Sequence, residues 1–404
     1  MKSSSWQGGF LALPEGGLAG GVLLTIHRLS QGGADRVAIL LANGFVAAGI
    51  PTALCMLRDG GENEQALLSM LDERVRVGCA GSPMGSRHLE LIRGYRHIRR
   101  EIERARPSLV LASSSNMGLV TGLCARSSGP HRPAFLMKLT NPVIRPRDHG
   151  AVKEYYRRSL YRFIFGSFDR VLLLSAEEQR RLTAMFPEHR DRFETVANPY
   201  VAPAMRAAPR AGGSRGRRIV TLARMMPQKR LDRLLDAFAL LSNKEARLTI
   251  LGDGPERAKL ERRANALGIG ARVDMPGFVD DVPSRLAAAD LFVLSSDYEG
   301  LPAVLFEALA CGVPVVTTDC FDAARSLLQG LPGCATVPRN DVAALARAID
   351  RALSLPEFPE GLDAIAHPYS YDKAIAAHVD LLQACLSVAQ FSDPSADLSR
   401  SLVN

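Results

Sequence analysis

Short apolar runs alternate with longer amphipathic stretches, and this pattern occurs twice, on either side of one interval rich in Pro, Gly and Arg. In the first half the apolar runs are Val22–His27, Thr52–Leu57, Leu109–Ala112, Ala134–Leu139 and Val171–Leu174. In the second they are Ile219–Leu222, Leu248–Leu251, Leu291–Leu294 and Val313–Val316, with a shorter one near Val273. Helical periodicity falls between them: from about Ala34, over Arg87–Arg106, Leu231–Leu241, Pro255–Leu267, Ala303–Ala310 and Val342–Leu353, and last over about Asp372–Val388. Strands this short, spaced by helices, imply βαβ units and a parallel sheet with helices on its faces. The interval Ala202–Arg218 holds Pro203, Pro209 and three glycines without an apolar period, and it reads as a linker. The expectation is an α/β fold of two Rossmann-like, doubly wound domains: 1–200, 201–366, and a tail 367–404 whose helix returns to the first domain. Open parallel sheets bind ligands beyond the carboxyl ends of their strands, so a central cleft between the two domains is the expected site.

Composition removes several alternatives. Of the 404 residues, 47% are hydrophobic and 23% charged, which is ordinary for globular chains and excludes a disordered or collagenous one. Val37–Leu57 is a charge-free stretch long enough to span a membrane. Gly49, Pro51 and Thr52 interrupt it, so it reads as a buried helix ending near Ala48 and then a strand. The seven cysteines are widely spaced and include no CxxC pair, and the eight histidines form no ligand spacing, so no metal site is expected. A reducing compartment fits such cysteines, and the first residues lack the apolar core of a secretory leader, so a cytoplasmic location is expected.

The densest signal is the stretch Ser296–Val316, which follows a strand and carries Glu299, Gly300, Leu301, Pro302 and, eight residues after the first acid, Glu307. A helix starting near Pro302 offers free N–H groups and a positive dipole end to a phosphate. Glu307, about one turn in, can accept both hydroxyls of a ribose, while Glu299 sits on the sugar side. Arg224 ends the first strand of this half and Lys229 follows in the next loop; together they can converge on a diphosphate. Gly252-Asp253-Gly254 forms a strand-to-helix turn that permits close backbone approach, and Val279 lies in a loop able to flank a base. In the first half, Gly32 and Gly33 form a similar turn before a helix. Asp280 and Asp281 read as a helix cap.

These residues, in this order, resemble the GT-B retaining glycosyltransferases of glycosyltransferase family 4. The resemblance spans nearly the whole chain and is most specific from Arg224 to Asp319. It implies that Arg224, Lys229 and Glu299 serve catalysis, with the two cations on the donor diphosphate. It implies donor contacts from Gly32, Gly33, Gly252, Gly254, Val279, Gly300, Leu301 and Glu307. It further implies a UDP- or GDP-linked sugar as donor, a glycan or lipid-linked acceptor in bacterial surface glycan synthesis, retention of configuration, and no cofactor or metal; no D-x-D motif is present. The chain departs from the family at Ala223 and Arg230, where glycines are usual, and at Ser113–Asn116, where many relatives place a histidine. Two other readings are a GT-B epimerase-like enzyme, which the E-x7-E spacing opposes, and a non-catalytic module that binds sugar nucleotide or membrane without turnover.

Fifty basic residues against 42 acidic give a net charge of +8. The excess is local. Arg87–Arg106 holds seven Arg and three Glu, with Leu89, Ile92, Tyr95, Ile98 and Ile102 at apolar positions. Arg145–Arg162 holds six basic and two acidic residues interleaved with Tyr155, Tyr156 and Tyr161. Solvated basic faces and contact with an anionic membrane at the inner leaflet are both open readings. Nucleic acid is not an expected partner, because no helix-turn-helix or aromatic–basic RNA motif accompanies the charge.

Overall fold

A computed structural model describes residues 17–29, 32–59, 64–82, 84–129, 132–144, 150–207 and 218–391. The chain divides into two compact units. One comprises residues up to 144, 150–199 and 374 onward, and the other is chiefly 200–373.

The first unit is built on seven strands: β1 (Val22–Ile26), β2 (Thr52–Met56), β3 (Arg76–Cys79), β4 (Leu109–Ala112), β5 (Ala134–Lys138), β6 (Arg170–Leu173) and β7 (Phe193–Thr195). They lie in the order β3-β2-β1-β4-β5-β6-β7, all parallel. β1, β2 and β4 are buried at every residue, as a parallel sheet covered on both faces requires. The helices are α1 (Gly33–Ala47), α2 (Glu64–Leu68), α3 (Arg87–Ala105), α4 (Gly118–Ser127), α5 (Ala151–Phe165) and α6 (Ala176–Met185). α3, α4, α5 and α6 share one core with alternate strand residues: Ile98 and Ile102, Val120 and Cys124, Ile164 and Phe165, and Leu182 meet Leu23, Val110, Phe135 and Val171.

The second unit holds six parallel strands in the order β10-β9-β8-β11-β12-β13. In chain order its elements are α7 (Pro203–Ala207), β8 (Arg218–Leu222), α8 (Leu231–Ala239), β9 (Arg247–Leu251), α9 (Arg257–Ala266), β10 (Val273–Gly277), α10 (Val282–Ala287) and β11 (Leu291–Leu294). There follow α11 (Ala303–Ala310), β12 (Val315–Thr318), α12 (Ala324–Leu328), β13 (Ala335–Val337), α13 (Val342–Leu353) and α14 (Leu362–Ala366). A last helix, α15 (Tyr371–Phe391), begins here, and from Ala374 onward it belongs to the first unit. There Ile375 packs against Gly44 of α1 so closely that a Cβ on the glycine would lie 2.5 Å from its side chain.

Three sequence expectations are corrected. The interval Ala202–Arg218 is not wholly linker: Pro203–Ala207 forms a short helix with Met205 buried, and Arg218 opens β8. Residues 208–217 of that interval lie outside the described residues. The run Val313–Val316 is displaced two residues to Val315–Thr318, because Gly312 takes φ +69° and Pro314 supplies a carbonyl, not an amide, to the ladder. The apolar positions of α3 do not form one buried face: Ile98 and Ile102 are in the core, while Leu89 and Ile92 are half exposed.

Candidate functional site

In each sheet the strand order reverses at one place, between β1 and β4 and between β8 and β11. Ligands of open parallel sheets bind at such switch points. In the second unit the switch point gathers the expected residues through a lattice of backbone bonds. Ala223 N–H donates to Leu251 O (3.0 Å), and Met225 N–H to Asp253 O (2.9 Å), so the end of β8 is laced to the β9–α9 turn. That lacing needs both glycines. A Cβ at Gly252 would fall 2.4 Å from Ala223 O, and one at Gly254 would fall 2.6 Å from Met225 O. Gly252 N–H also donates to Gly277 O (2.8 Å), which brings the end of β10 and the following Val279 loop beside the same turn. Arg224 therefore stands at the rim of three strand ends. Its side chain is exposed, and no hydrogen bond or ion pair holds its guanidinium among the described residues.

Lys229 closes a single 3-10 turn, Pro227–Lys229, and its Nζ donates to Glu299 Oε1 at 2.7 Å. Ser296 Oγ donates to the same oxygen (2.5 Å), and Glu299 N–H donates to Cys320 O (2.7 Å). Burial pushes the Cys320 thiol up to about 12, with the Glu299 charge as the second cause. The Glu299 side chain is itself mostly buried, 11% exposed.

The loop holding Glu299 is fastened by residues that spacing did not flag. Asp297 N–H donates to Gln228 O (2.9 Å), and Gln228 Nε2 donates to Tyr298 O (2.6 Å). The Asp297 carboxylate accepts from the buried Arg233 (2.7 Å) and from Arg230 (3.3 Å). Arg233 also donates to Ser295 O (2.9 Å). Arg230, where the resemblance leads one to expect glycine, takes φ +47°, ψ +45°, a conformation costly for a residue with a side chain. Asp232 and Asp297 hold its guanidinium and raise its pKa, the Asp232 hydrogen bond most. Arg233 lies 64 residues from Asp297 in sequence, so no local pattern could have paired them.

Beyond Gly300 the chain enters α11. Its N-cap is Pro302, without a side-chain cap, and among the described residues no side chain accepts from the first-turn amides. Glu307 lies within α11 and is 2% exposed. Behind the helix, Phe306 stacks on Tyr369 (3.8 Å between centroids) and Tyr200 (5.7 Å), and Tyr200 Oη donates to Leu301 O (2.9 Å). Asp281 caps α10 through Ser284 N–H, as expected.

Gly32 and Gly33 stand in the first unit, at the start of α1. Gly32 is the N-cap, with Asp35 closing back on its amide (3.4 Å). Among the described residues a Cβ at Gly33 would meet nothing within 4 Å, so they do not demand glycine there. The adjoining Ser30 and Gln31 lie outside the described residues. Neither Lys138 nor His378 was a sequence candidate, yet they form a wholly buried pair. Lys138 Nζ lies 2.8 Å from His378 Nε2, and His378 Nδ1 lies 2.7 Å from Ala374 O. The carbonyl can only accept, so Nδ1 carries the proton and Nε2 accepts from the lysine.

Two family models match the chain. Residues 31–201 match the model of Glycosyltransferase Family 4, and residues 211–367 match Glycosyl transferases group 1. Among curated proteins, a lipopolysaccharide core biosynthesis glycosyltransferase of Rhizobium meliloti is 32% identical over 169 residues, 41% of this chain and 49% of that one. A GDP-mannose-dependent alpha-(1-6)-phosphatidylinositol dimannoside mannosyltransferase of Mycobacterium tuberculosis is 35% identical over 144 residues, 34% of this chain and 36% of that one. The match thus spans less than half the length of each of these relatives. Among solved structures, a lipopolysaccharide outer core galactosyltransferase superposes with TM-score 0.69 at 17% identity, covering 90% of this chain and 99% of that one. An Anabaena protein in complex with UDP-glucose superposes with TM-score 0.68 at 17% identity, covering 90% and 99%. Two parallel-sheet Rossmann-like units, one matching each family model, and GT-B structural neighbours lead to one assignment: the chain belongs to the group 1/family 4 type of GT-B glycosyltransferases.

Proposed function

We propose that the protein transfers a sugar, with retention, from a nucleoside-diphosphate-sugar to a hydroxyl of a lipid-linked or polysaccharide acceptor in bacterial surface glycan synthesis. The observation that carries this reading is the cation–carboxylate pair Lys229–Glu299 at the switch point, beside the exposed Arg224 and the uncapped start of α11. In this reading Arg224 and Lys229 neutralise the departing diphosphate, as preorganised cations do for charge developing in a transition state. Glu299, Gly300 and Leu301 hold the donor sugar. Glu307 accepts the ribose hydroxyls, Gly252 and Gly254 let the backbone approach the donor, and Val279 flanks the base. Gly32 and Gly33 contact donor or acceptor from the first unit. Cationic side chains take the place of a metal, and no cofactor takes part.

The names of the relatives support the donor and acceptor classes. One depends on GDP-mannose and acts on a phosphatidylinositol glycolipid, and one structural neighbour holds UDP-glucose. With such an acceptor, the protein works at the cytoplasmic face of a membrane as a peripheral protein. The test is a thermal-shift screen against UDP, GDP, ADP and TDP and their sugar conjugates, since a ligand bound only by the folded state raises the melting temperature. A shift with one base names the donor. No shift with any nucleotide would remove the donor site and with it this reading.

A further inference from the structure

Among the described residues only two that carry a side chain, Arg106 and Arg230, take a left-handed backbone. Arg106 closes the end of α3, a common place for that conformation. Arg230 sits between two elements. It ends the turn Pro227–Lys229, donating its amide to Pro227 O (3.3 Å), and it is the N-cap of α8, with no side-chain cap. Glycine would take φ +47° freely, whereas a residue with a Cβ is strained there. Stability does not explain the arginine. Its guanidinium donates to Asp232 (Nε 3.0 Å, Nη2 3.2 Å) and to Asp297 (Nη1 3.3 Å), and the three side chains are 31–35% exposed. Ion pairs so exposed stabilise little, and the left-handed backbone costs at least as much. Nor does Asp297 need a second cation to be paired, because the buried Arg233 already donates to it at 2.7 Å.

What the guanidinium does is join two segments. The turn 228–230 carries Lys229, and the loop 295–299 carries Glu299. Three bonds already run between them: Asp297 N–H to Gln228 O (2.9 Å), Gln228 Nε2 to Tyr298 O (2.6 Å) and Ser295 Oγ to Lys229 O (2.9 Å). They tie turn to loop, but not either of them to a helix. Arg230 adds that third party. One edge of its planar fork holds Asp297, two residues before Glu299, and the other holds Asp232 in the first turn of α8. α8 in turn is seated in the core through Leu231, Leu234 and Leu235. We infer that Arg230 is a positioning residue: it fixes the Lys229 turn and the Glu299 loop to α8, so that Lys229 Nζ and Glu299 Oε1 stand 2.7 Å apart before a donor arrives. The inference rests on the donor-site reading above and adds to it a residue that acts through Lys229 and Glu299. A pair held in place in advance need not be ordered at each turnover.

The test compares wild type with Arg230→Gly, Arg230→Lys, Asp297→Asn and the double variant Arg230→Gly/Asp297→Asn, in steady-state transfer with the donor found by the thermal-shift screen. Arg230→Gly relieves the backbone and is expected to melt within about 3 °C of wild type. Its kcat is expected to fall about tenfold while the donor KM changes less than about twofold, because geometry and not binding is lost. Arg230→Lys, a cation without the fork, should recover part of that loss. In Asp297→Asn the further change to glycine should cost nothing more, since Arg230 acts through that carboxylate. Hydrogen–deuterium exchange of the substrate-free protein reads the same clamp apart from activity: peptides covering 295–300 should exchange faster in Arg230→Gly, and those of α8 at the wild-type rate. Unchanged kcat, unchanged exchange, or losses that add in the double variant would each overturn the role. A fall in kcat matched by loss of folded protein would make Arg230 structural only. Failure of the donor-site reading shows separately: wild type then neither transfers sugar nor shifts its melting temperature with any nucleotide, and the role falls with it.

Discussion

Arg224 and Glu307 are opposites in their surroundings, and this sets what their loss should do. Arg224 is exposed and none of the described residues engages its guanidinium, so replacing it costs the fold little. Arg224→Ala is expected to leave the melting temperature unchanged and to lower turnover about 10²–10³-fold, the scale of losing one preorganised transition-state donor. Unchanged turnover in a steady-state assay with the donor found by the screen would refute its diphosphate role. Glu307 is buried, so the conservative Glu307→Gln is the informative change. Calorimetry with the free nucleoside diphosphate should show affinity weakened by about 1.5–3 kcal/mol, the range for hydrogen bonds to a charged acceptor. Affinity equal to wild type would take Glu307 out of the ribose site. Gly33 offers a third contrast. With no steric demand from the described residues, Gly33→Ala inside the first turn of α1 should raise stability by about 0.5–1 kcal/mol in denaturant melts. A loss of transfer activity at the same time would mean that a ligand, not the fold, needs the glycine.

At the scale of elements, the loop from Ser295 to Gly300 is the part that must keep its shape. Its shape comes from Asp297, whose carboxylate accepts from Arg233 and Arg230 and whose amide donates to Gln228 O outside the loop. Asp297→Ala leaves the buried Arg233 guanidinium short of a partner and should cost about 1.5–3 kcal/mol in chemical unfolding. If the loop also positions Glu299, turnover falls further than KM rises; a change in stability alone would make the network structural. This loop shows what the sequence could and could not tell. The E-x7-E stretch was legible because chemistry and a helix start coincide within a few residues. The Asp297–Arg233 bond was not, since chain topology, not spacing, joins α8 to the end of β11. Likewise β3, β7 and β13 escaped the reading. They are three or four residues long, with few apolar side chains and partly exposed edges, so no period-2 signal can build up. The long, fully buried β1 and β2 were found within a residue of their ends.

For the chain as a whole, the important junction is the return of α15 to the first unit, secured by Lys138 and His378. Burial alone lowers Lys138 from 10.5 to about 7, and burial together with the lysine charge lowers His378 well below its ordinary value. The sign follows from linkage. Between about pH 7 and 10.5 the unfolded chain holds a proton on Lys138 that the folded chain has given up, so stability rises with pH across that window. The slope is at most about 1.4 kcal/mol per unit. Below the ordinary range of histidine, the unfolded chain gains a proton that His378 refuses, and stability falls again. Melting curves of wild type and Lys138→Met should therefore diverge in favour of wild type as pH rises from 7 toward 10. Parallel curves would show that the lysine does not titrate in that range.

The same pair makes the amine a reporter. Lys138 is one of only seven lysines in a chain whose positive charge is otherwise all arginine. Its nitrogen is fully enclosed, with one neighbour carried on α15. An acylating reagent can reach it only after that helix has lifted. Peptide mass spectrometry of the acylated protein would then time the lifting: exposed lysines such as Lys259 would be modified at once, and Lys138 at the rate of the opening.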